Sequence, residues 1–189
     1  MRIMLHACCG PCLLEPWDAL SADHEVRVAY ANPNIHPRSE YELRRDTLLE
    51  WAGSRGIEVD ELQYDPEAWD RAVAGLDHGS HERCLACYGL RLGMVARHAA
   101  EEGFDAVATT LTVSPWQDPE GIREAGIKAC AGHGVDFLVT DFRDRYGEAT
   151  RRSRELGMYR QNYCGCRYSE KEAADQRERR RAQRASRKG

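Results

Sequence analysis

The sequence predicts an α/β fold, a parallel sheet of about five strands with helices on both faces. Strand-like and helix-like segments alternate along the chain. The strand-like runs are apolar or β-branched, as befits strands buried on both faces. The residues with chemical potential cluster just after these runs, where open parallel sheets place their sites.

The runs are RIMLHA (2–7), EVRVAYA (25–31), IEVDEL (57–62), FDAVATT (104–110) and VDFLVTD (135–141). Within SEYELRRDTLLEWAGSRG (39–56), Tyr41, Leu48, Trp51 and Ala52 share one helical face, and Gly53 and Gly56 end the run. Trp69, Ala72, Val73 and Leu76 repeat the pattern in a short helix. Leu92, Val95, Ala96 and Ala99 mark the core stripe of a long helix from about Cys84 to Glu102. Pro119 suits the first position of another helix, which closes near Gly132. The organisation expected is one α/β domain over 1–168, followed by a helical, basic tail over 169–189, where eight Lys/Arg stand against four Asp/Glu from Tyr168 onward.

The bulk numbers exclude several classes. A chain of 189 residues with 42% apolar content can bury a core without disulfide staples. A net charge of −4 does not make the chain as a whole a polyanion binder. MRIMLHA runs straight into polar, cysteine-rich sequence, so no secretory leader is expected, and no run suits a membrane span. A cytoplasmic protein is expected. There thiols stay reduced, and eight cysteines point to metal binding or redox catalysis rather than a disulfide framework.

Seven of the eight are clustered: Cys8, Cys9 and Cys12 as C-C-x-x-C, Cys84 and Cys87 as C-x-x-C, Cys164 and Cys166 as C-x-C. Cys12 falls about one turn after Cys8 and Cys9 near a helix N-terminus, where backbone N–H groups favour thiolate. Cys84 and Cys87, three apart on a helix, point the same way. Gly165 lets the backbone bend so that both flanking sulfurs turn to one side. Seven candidate thiolates exceed the four that one zinc or one four-iron cluster takes, which argues for two metal centres or for a cluster plus catalytic thiols. Cys130, in GIKACAG, reads as a core residue of a helix.

Six blocks, HACCGPC, YANPNIHPRSEYELRR, ERCLACYGLRL, TTLTVSP, DFR and LGMYRQNYCGCRYS, run in order from residue 6 to 169. Together they resemble the signature blocks of the QueH epoxyqueuosine reductases. One departure is Gly10, where the family more often has alanine before the proline. The resemblance implies a HUP-like sheet of the adenine-nucleotide α-hydrolase type. It implies removal of the epoxide oxygen of epoxyqueuosine at the wobble base of tRNA, without cobalamin. It also implies a four-iron four-sulfur (4Fe-4S) cluster beside a second, mononuclear metal, iron, with Cys8, Cys9, Cys12, Cys84, Cys87, Cys164 and Cys166 as the ligand pool. Relatives of this fold that activate ATP carry a Gly/Ser-rich phosphate loop after the first strand. Here Cys8–Cys12 fill that place, so metal is expected where others hold nucleotide.

Reducing an epoxide to an alkene needs two electrons and a proton source, hence an external electron donor and a nearby acid. The acid candidates are His36 and Tyr159, with His6 reading more naturally as a core residue of its strand. Asn32 and Asn34 read as turn builders and Asp141 as a cap. Arg160, Gln161 and Tyr163 are candidates for stacking or hydrogen-bonding a splayed nucleotide, and Arg179, Arg180 and Arg181 for phosphate contact. The expected partners are tRNA carrying epoxyqueuosine and a reductant, with the protein a monomer and no membrane involved. Two alternatives compete: an iron–sulfur tRNA thiolase, which would need the missing phosphate loop, and a non-catalytic metal-binding redox protein, which would need no RNA site.

Overall fold

The computed structural model describes residues 1–76 and 81–186. The last positions of the basic tail, 187–189, lie outside the described residues. Five strands, β1 (Arg2–His6), β2 (Glu25–Tyr30), β3 (Val59–Glu61), β4 (Ala106–Thr109) and β5 (Asp136–Phe137), form one sheet in the order β3-β2-β1-β4-β5. Every pairing is parallel. Seven α-helices accompany them: α1 (Gly10–Ser21), α2 (Arg38–Gly53), α3 (Pro66–Ala72), α4 (His81–Glu101), α5 (Pro119–Ala131), α6 (Tyr146–Glu155) and α7 (Arg167–Ser186).

The period of two along a strand divides the core into two layers. Ile3 and Leu5 of β1, with Val28 and Tyr30 of β2, face Leu13, Leu14, Tyr41, Leu48, Trp51 and Ala149 from α1, α2 and α6. Met4, Ala29 and Val107 face the opposite way, toward Val95, Ala96 and Ala99 of α4 and Cys130 of α5. Cys130 is thus a core residue, 1% exposed, and burial raises its thiol to about 12. Helices cover both faces, as the apolar runs require.

Two differences from the sequence reading have local causes. The fifth run covers 135–141 in the sequence, but β5 holds two residues. After Thr109 its partner β4 turns into a 3₁₀ segment, Thr110–Val113, and past the Leu138 N–H to Val107 carbonyl bond no strand edge remains to pair with. The helix α6 buries only a narrow stripe, Ala149 and Ser153 with Tyr146 packed beside them. Charge adds to that contact: Arg152 reaches Glu15 of α1 at 2.6 Å and Asp18 at 2.7 Å, and Arg145 stands 3.9 Å from Glu15. At the other edge α5 lies directly on β5. A Cβ on Gly126 would sit 2.4 Å from the Phe137 ring, so this approach requires glycine.

The chain adds β2 and β3 on one side of β1 and then β4 and β5 on the other. The topology therefore reverses between β1 and β4, and the crevice beyond their carboxyl ends is where such sheets bind ligands. The residues following these strands meet there: the Cys8 N–H donates to Thr110 Oγ1 at 3.1 Å.

Glu15 is only 6% exposed, so its charge depends on its arginines. Arg152→Met is expected to destabilise the fold by about 2 kcal/mol, read as a lower urea midpoint. Adding Glu15→Gln to that variant should recover part of the loss.

Candidate metal centre at the sheet switch point

Past His6 the backbone of β1 makes one more sheet bond, Ala7 N–H to the Ala29 carbonyl at 2.9 Å, and then breaks into Cys8. His6 is fully buried. Thr109 donates to its Nδ1 over 2.8 Å, and its Nε2 lies 3.3 Å from the Ala31 carbonyl. Burial, with Arg91 nearby, lowers its pKa to about 3, so it is a neutral core residue. Cys9 is the N-cap of α1, and Pro11 sets the first turn. Gly10 is packed tightly: a Cβ there would lie 2.8 Å from Met158 Cε and 3.2 Å from Thr47 Cγ2.

This geometry brings the sulfurs of Cys8, Cys9 and Cys12 within 4.8 Å of one another. Cys8 and Cys9 Sγ are 3.9 Å apart, and all three thiols are free. Thr110 Oγ1 donates to Cys8 Sγ at 3.4 Å. Gln161 Nε2 donates to Cys9 Sγ at 2.9 Å and lies 3.8 Å from Cys12 Sγ. Cys8 ionises most readily, since Cys12 and then Cys9 hydrogen-bond to its sulfur, and Arg91 and Thr110 add to this against the cost of burial. Cys9 is held up chiefly by burial. Cys12 is held up by its bonds to Cys8 and Cys9. A cation entering the triad would displace those protons.

The other four clustered thiols form a second group. Cys84 and Cys87 lie in the first turns of α4, and Cys164 and Cys166 lie in the loop leading to α7. Cys87 and Cys166 pack together against Trp69 and Val73. Cys164 and Cys166 are near enough that their charges raise both Cys84 and Cys87, the latter to about 12 with burial the main cause. Cys84 shares the apolar cluster around Tyr88 and Leu111 with Cys8, which joins this quartet to the triad. Among the described residues, only the triad has its sulfurs all within 4.8 Å.

A buried arginine fixes the loop carrying Cys164 and Cys166. Arg44, 2% exposed on α2, donates from Nε to Glu40 Oε1 at 2.7 Å, from Nη1 to the Cys164 carbonyl at 3.1 Å and from Nη2 to the Tyr163 carbonyl at 3.3 Å. Its guanidinium also stands 5.0 Å from the Tyr163 ring centre. The other Glu40 oxygen accepts from Tyr159 OH at 2.7 Å. Tyr163 OH donates to the His36 carbonyl, and the His36 N–H donates to the Gly165 carbonyl at 2.8 Å. Gly165 has φ +127°, and a Cβ there would meet Ile35 at 3.0 Å and Arg44 at 3.1 Å. Gln117 Nε2 reaches Cys164 Sγ at 3.5 Å while its Oε1 accepts from Tyr88 OH at 2.6 Å.

The residues singled out in the sequence fall as follows. Tyr159 donates to Glu40, and burial, followed by that carboxylate, raises its pKa to about 12. The His36 ring is 5.6 Å from Trp69, its Nε2 is buried without a hydrogen-bond partner, and burial followed by Arg167 lowers its pKa. Gln161 and Tyr163 are built into the thiol site, while Arg160 and Arg179, Arg180 and Arg181 are exposed. Asn32 bridges Arg91 and the Ala7 carbonyl. Asp141 accepts from the Arg143 N–H and closes the turn there. The sequence reading missed Thr110, Gln117, Arg44 and Arg91. For the two arginines a signal existed, a charge inside the buried stripe of a helix, three residues after Tyr41 in α2 and four after Cys87 in α4.

These features define a class, a layered α/β protein whose open parallel sheet carries a thiol-lined crevice at its switch point. The chain belongs to the QueH family. The family model described as epoxyqueuosine reductase QueH matches residues 3–172. Three curated relatives carry that same name. The Thermotoga maritima protein is 36% identical over 178 residues, covering 88% of this chain and 89% of the relative. That of Streptococcus pyogenes is 34% identical over 179 residues, with 89% and 70% covered. That of Acinetobacter baylyi is 33% identical over 175 residues, with 89% and 80% covered.

Gly165→Ala is expected to destabilise the protein by about 1–3 kcal/mol, measured by chemical denaturation. Gly147→Ala, in α6 with open space around the added methyl, should change stability little.

Proposed function

We propose that this protein is an epoxyqueuosine reductase that acts on tRNA through thiol-bound iron, without cobalamin. The observation that carries the metal part is the triad: three soft donors within 4.8 Å, with Thr110 and Gln161 orienting the sulfurs. A resident metal fits this donor set. Seven thiols divided into a triad and a quartet can hold two centres, a 4Fe-4S cluster and a mononuclear iron, the triad holding one and the quartet the other. Bound there, the cluster supplies electrons singly and the second metal supplies a Lewis acid for the epoxide oxygen.

The chain's own residues do the rest. Opening the epoxide to the alkene consumes two electrons from an external donor and two protons, and releases the oxygen as water. Tyr159 and His36 are the proton donors in this assignment. Tyr159 keeps its proton at neutral pH and holds it toward Glu40. His36, its pKa lowered by burial, is mostly neutral at that pH and delivers a proton only after its unpartnered imidazole nitrogen has taken one up from solvent. Thr110 and Gln161 fix the thiol geometry, and Arg44 fixes the loop. Trp116, 72% exposed and edge-on to Tyr146 at 5.2 Å, stands one residue from Gln117 and offers a stacking face to an unpaired base. Arg160 and the exposed arginines of α7 supply phosphate contacts. The protein works as a monomer in the cytoplasm; among the described residues no helix is long and apolar enough to cross a membrane.

Anaerobic reconstitution tests this directly. The loaded protein should be brown, with about four acid-labile sulfides per chain and iron in excess of the cluster. With a reductant and no cobalamin it should convert epoxyqueuosine to queuosine in tRNA, and Cys9→Ser should abolish turnover and lower the iron count. A colourless, iron-free protein would sink the proposal. Replacing Arg179, Arg180 and Arg181 together with glutamine should weaken tRNA binding and lower the slope of log affinity against log salt by about 2, measured by filter binding.

A further inference from the structure

The face of α4 that carries Cys84 and Cys87 continues for one more turn to Arg91. Arg91 is 1% exposed. Its Nη2 donates to Asn32 Oδ1 at 2.5 Å, and Asn32 Nδ2 donates to the carbonyl of Ala7, the residue before Cys8, at 2.9 Å. The guanidinium is thus anchored within one residue of the triad and one helical turn from the quartet. Its Nε is buried with no hydrogen-bond partner. The other two buried arginines have carboxylates: Arg44 has Glu40 and Arg83 has Glu172. Among the described residues no carboxylate pairs with Arg91.

An arginine cannot shed its proton in a protein, and a buried cation without counter-charge is costly. Asn32 is neutral, so the compensating charge must come from elsewhere in the crevice. The groups placed to supply it are sulfurs: Cys87 stands one turn before Arg91 on the same face of α4, and Cys8 follows the carbonyl that Asn32 holds.

We infer that Arg91 is a positioning residue for both thiol sets, a fixed cation beside them whose counter-charge is the anionic metal–sulfur centre they would hold. It favours metal uptake there and makes it easier to add an electron to that centre. This rests on the reading that the thiols hold a redox-active metal. Arg91 itself need not touch the substrate.

Two measurements on the full chain test the inference without turnover. In the first, apoprotein is titrated with Co²⁺ under argon and the sulfur-to-cobalt charge-transfer band is followed. Arg91→Gln should bind about tenfold more weakly than wild type, and Arg91→Lys should recover most of the affinity. In the second, the iron-reconstituted proteins are titrated with reductant. Arg91→Gln should show a more negative reduction midpoint, with Arg91→Lys close to wild type. Asn32→Asp leaves the arginine in place and gives it a carboxylate; it should shift the midpoint the same way, and it carries the test if Arg91→Gln does not fold. Wild type that takes up neither metal would defeat the metal reading and this inference with it. Wild type that loads normally, beside a folded charge-neutralised variant of unchanged affinity and midpoint, would overturn the role of Arg91 alone.

Discussion

The arrangement depends on the three hydrogen-bonding groups that Arg44 holds together. Its guanidinium, sealed inside the protein, joins a carboxylate of its own helix to two successive carbonyls of a loop more than a hundred residues away. That loop brings Gln161 to the triad and Cys164 and Cys166 to α4. No apolar contact could set those carbonyls with the same directionality, because packing is tolerant of rotation and a planar fork of donors is not. Once the loop is fixed, Glu40 orients Tyr159, Tyr163 lies along the guanidinium, and the backbone of His36 is tied to Gly165. The aromatic and imidazole groups beside the thiols are therefore as well placed as the arginine that organises them.

The sheet and the site divide the work. The sheet supplies a rigid edge: β1 and β4 are buried along most of their length, and both end where the topology reverses. The crevice that results would suit a nucleotide in many related architectures, with a helix N-terminus ready for phosphate. In this chain Cys9 occupies the N-cap of that helix, and Cys8 and Cys12 complete a sulfur face in front of it. The start of the helix does not by itself favour thiolate, as the sequence suggests for Cys12: burial holds Cys9 up, its bonds to Cys8 and Cys9 hold Cys12 up, and Cys8 alone is lowered, by the hydrogen bonds from its two neighbours.

Much of this was legible in the sequence. The five runs map onto five parallel strands, most plainly β1 and β4, whose burial leaves an apolar stretch, while the edge strands β3 and β5 are short and partly exposed. The cysteines within each cluster stay close because such short spacings keep neighbours together, but the meeting of Cys87 with Cys166 is a tertiary contact that no spacing shows. What was not legible depends on partners far apart in the chain. β5 is short because of what β4 does, and nothing within 135–141 shows it. The helix α6 presents only Tyr146, Ala149 and Ser153 inward and leans on Glu15 and Asp18 for the rest, so its apolar face is too narrow to stand out in the sequence. Arg44 and Arg91 interrupt their helical stripes, which marks them, but only the tertiary structure shows the carboxylate, carbonyls and asparagine that receive them. Gln161 and Tyr163, chosen for RNA contact, turn out to be built into the walls of the site, their polar groups bonded to Cys9 and to the His36 backbone.

Gly10 is closely covered: a Cβ there would meet Met158 Cε at 2.8 Å and Thr47 Cγ2 at 3.2 Å. A methyl group added at that corner would have to push the end of the thioether aside, and a methionine can yield by turning about its last bonds. Two positions nearly 150 apart in the chain are thus coupled through one soft contact. A change of a single carbon at either of them would be felt directly beneath the sulfur face while every cysteine stayed the same.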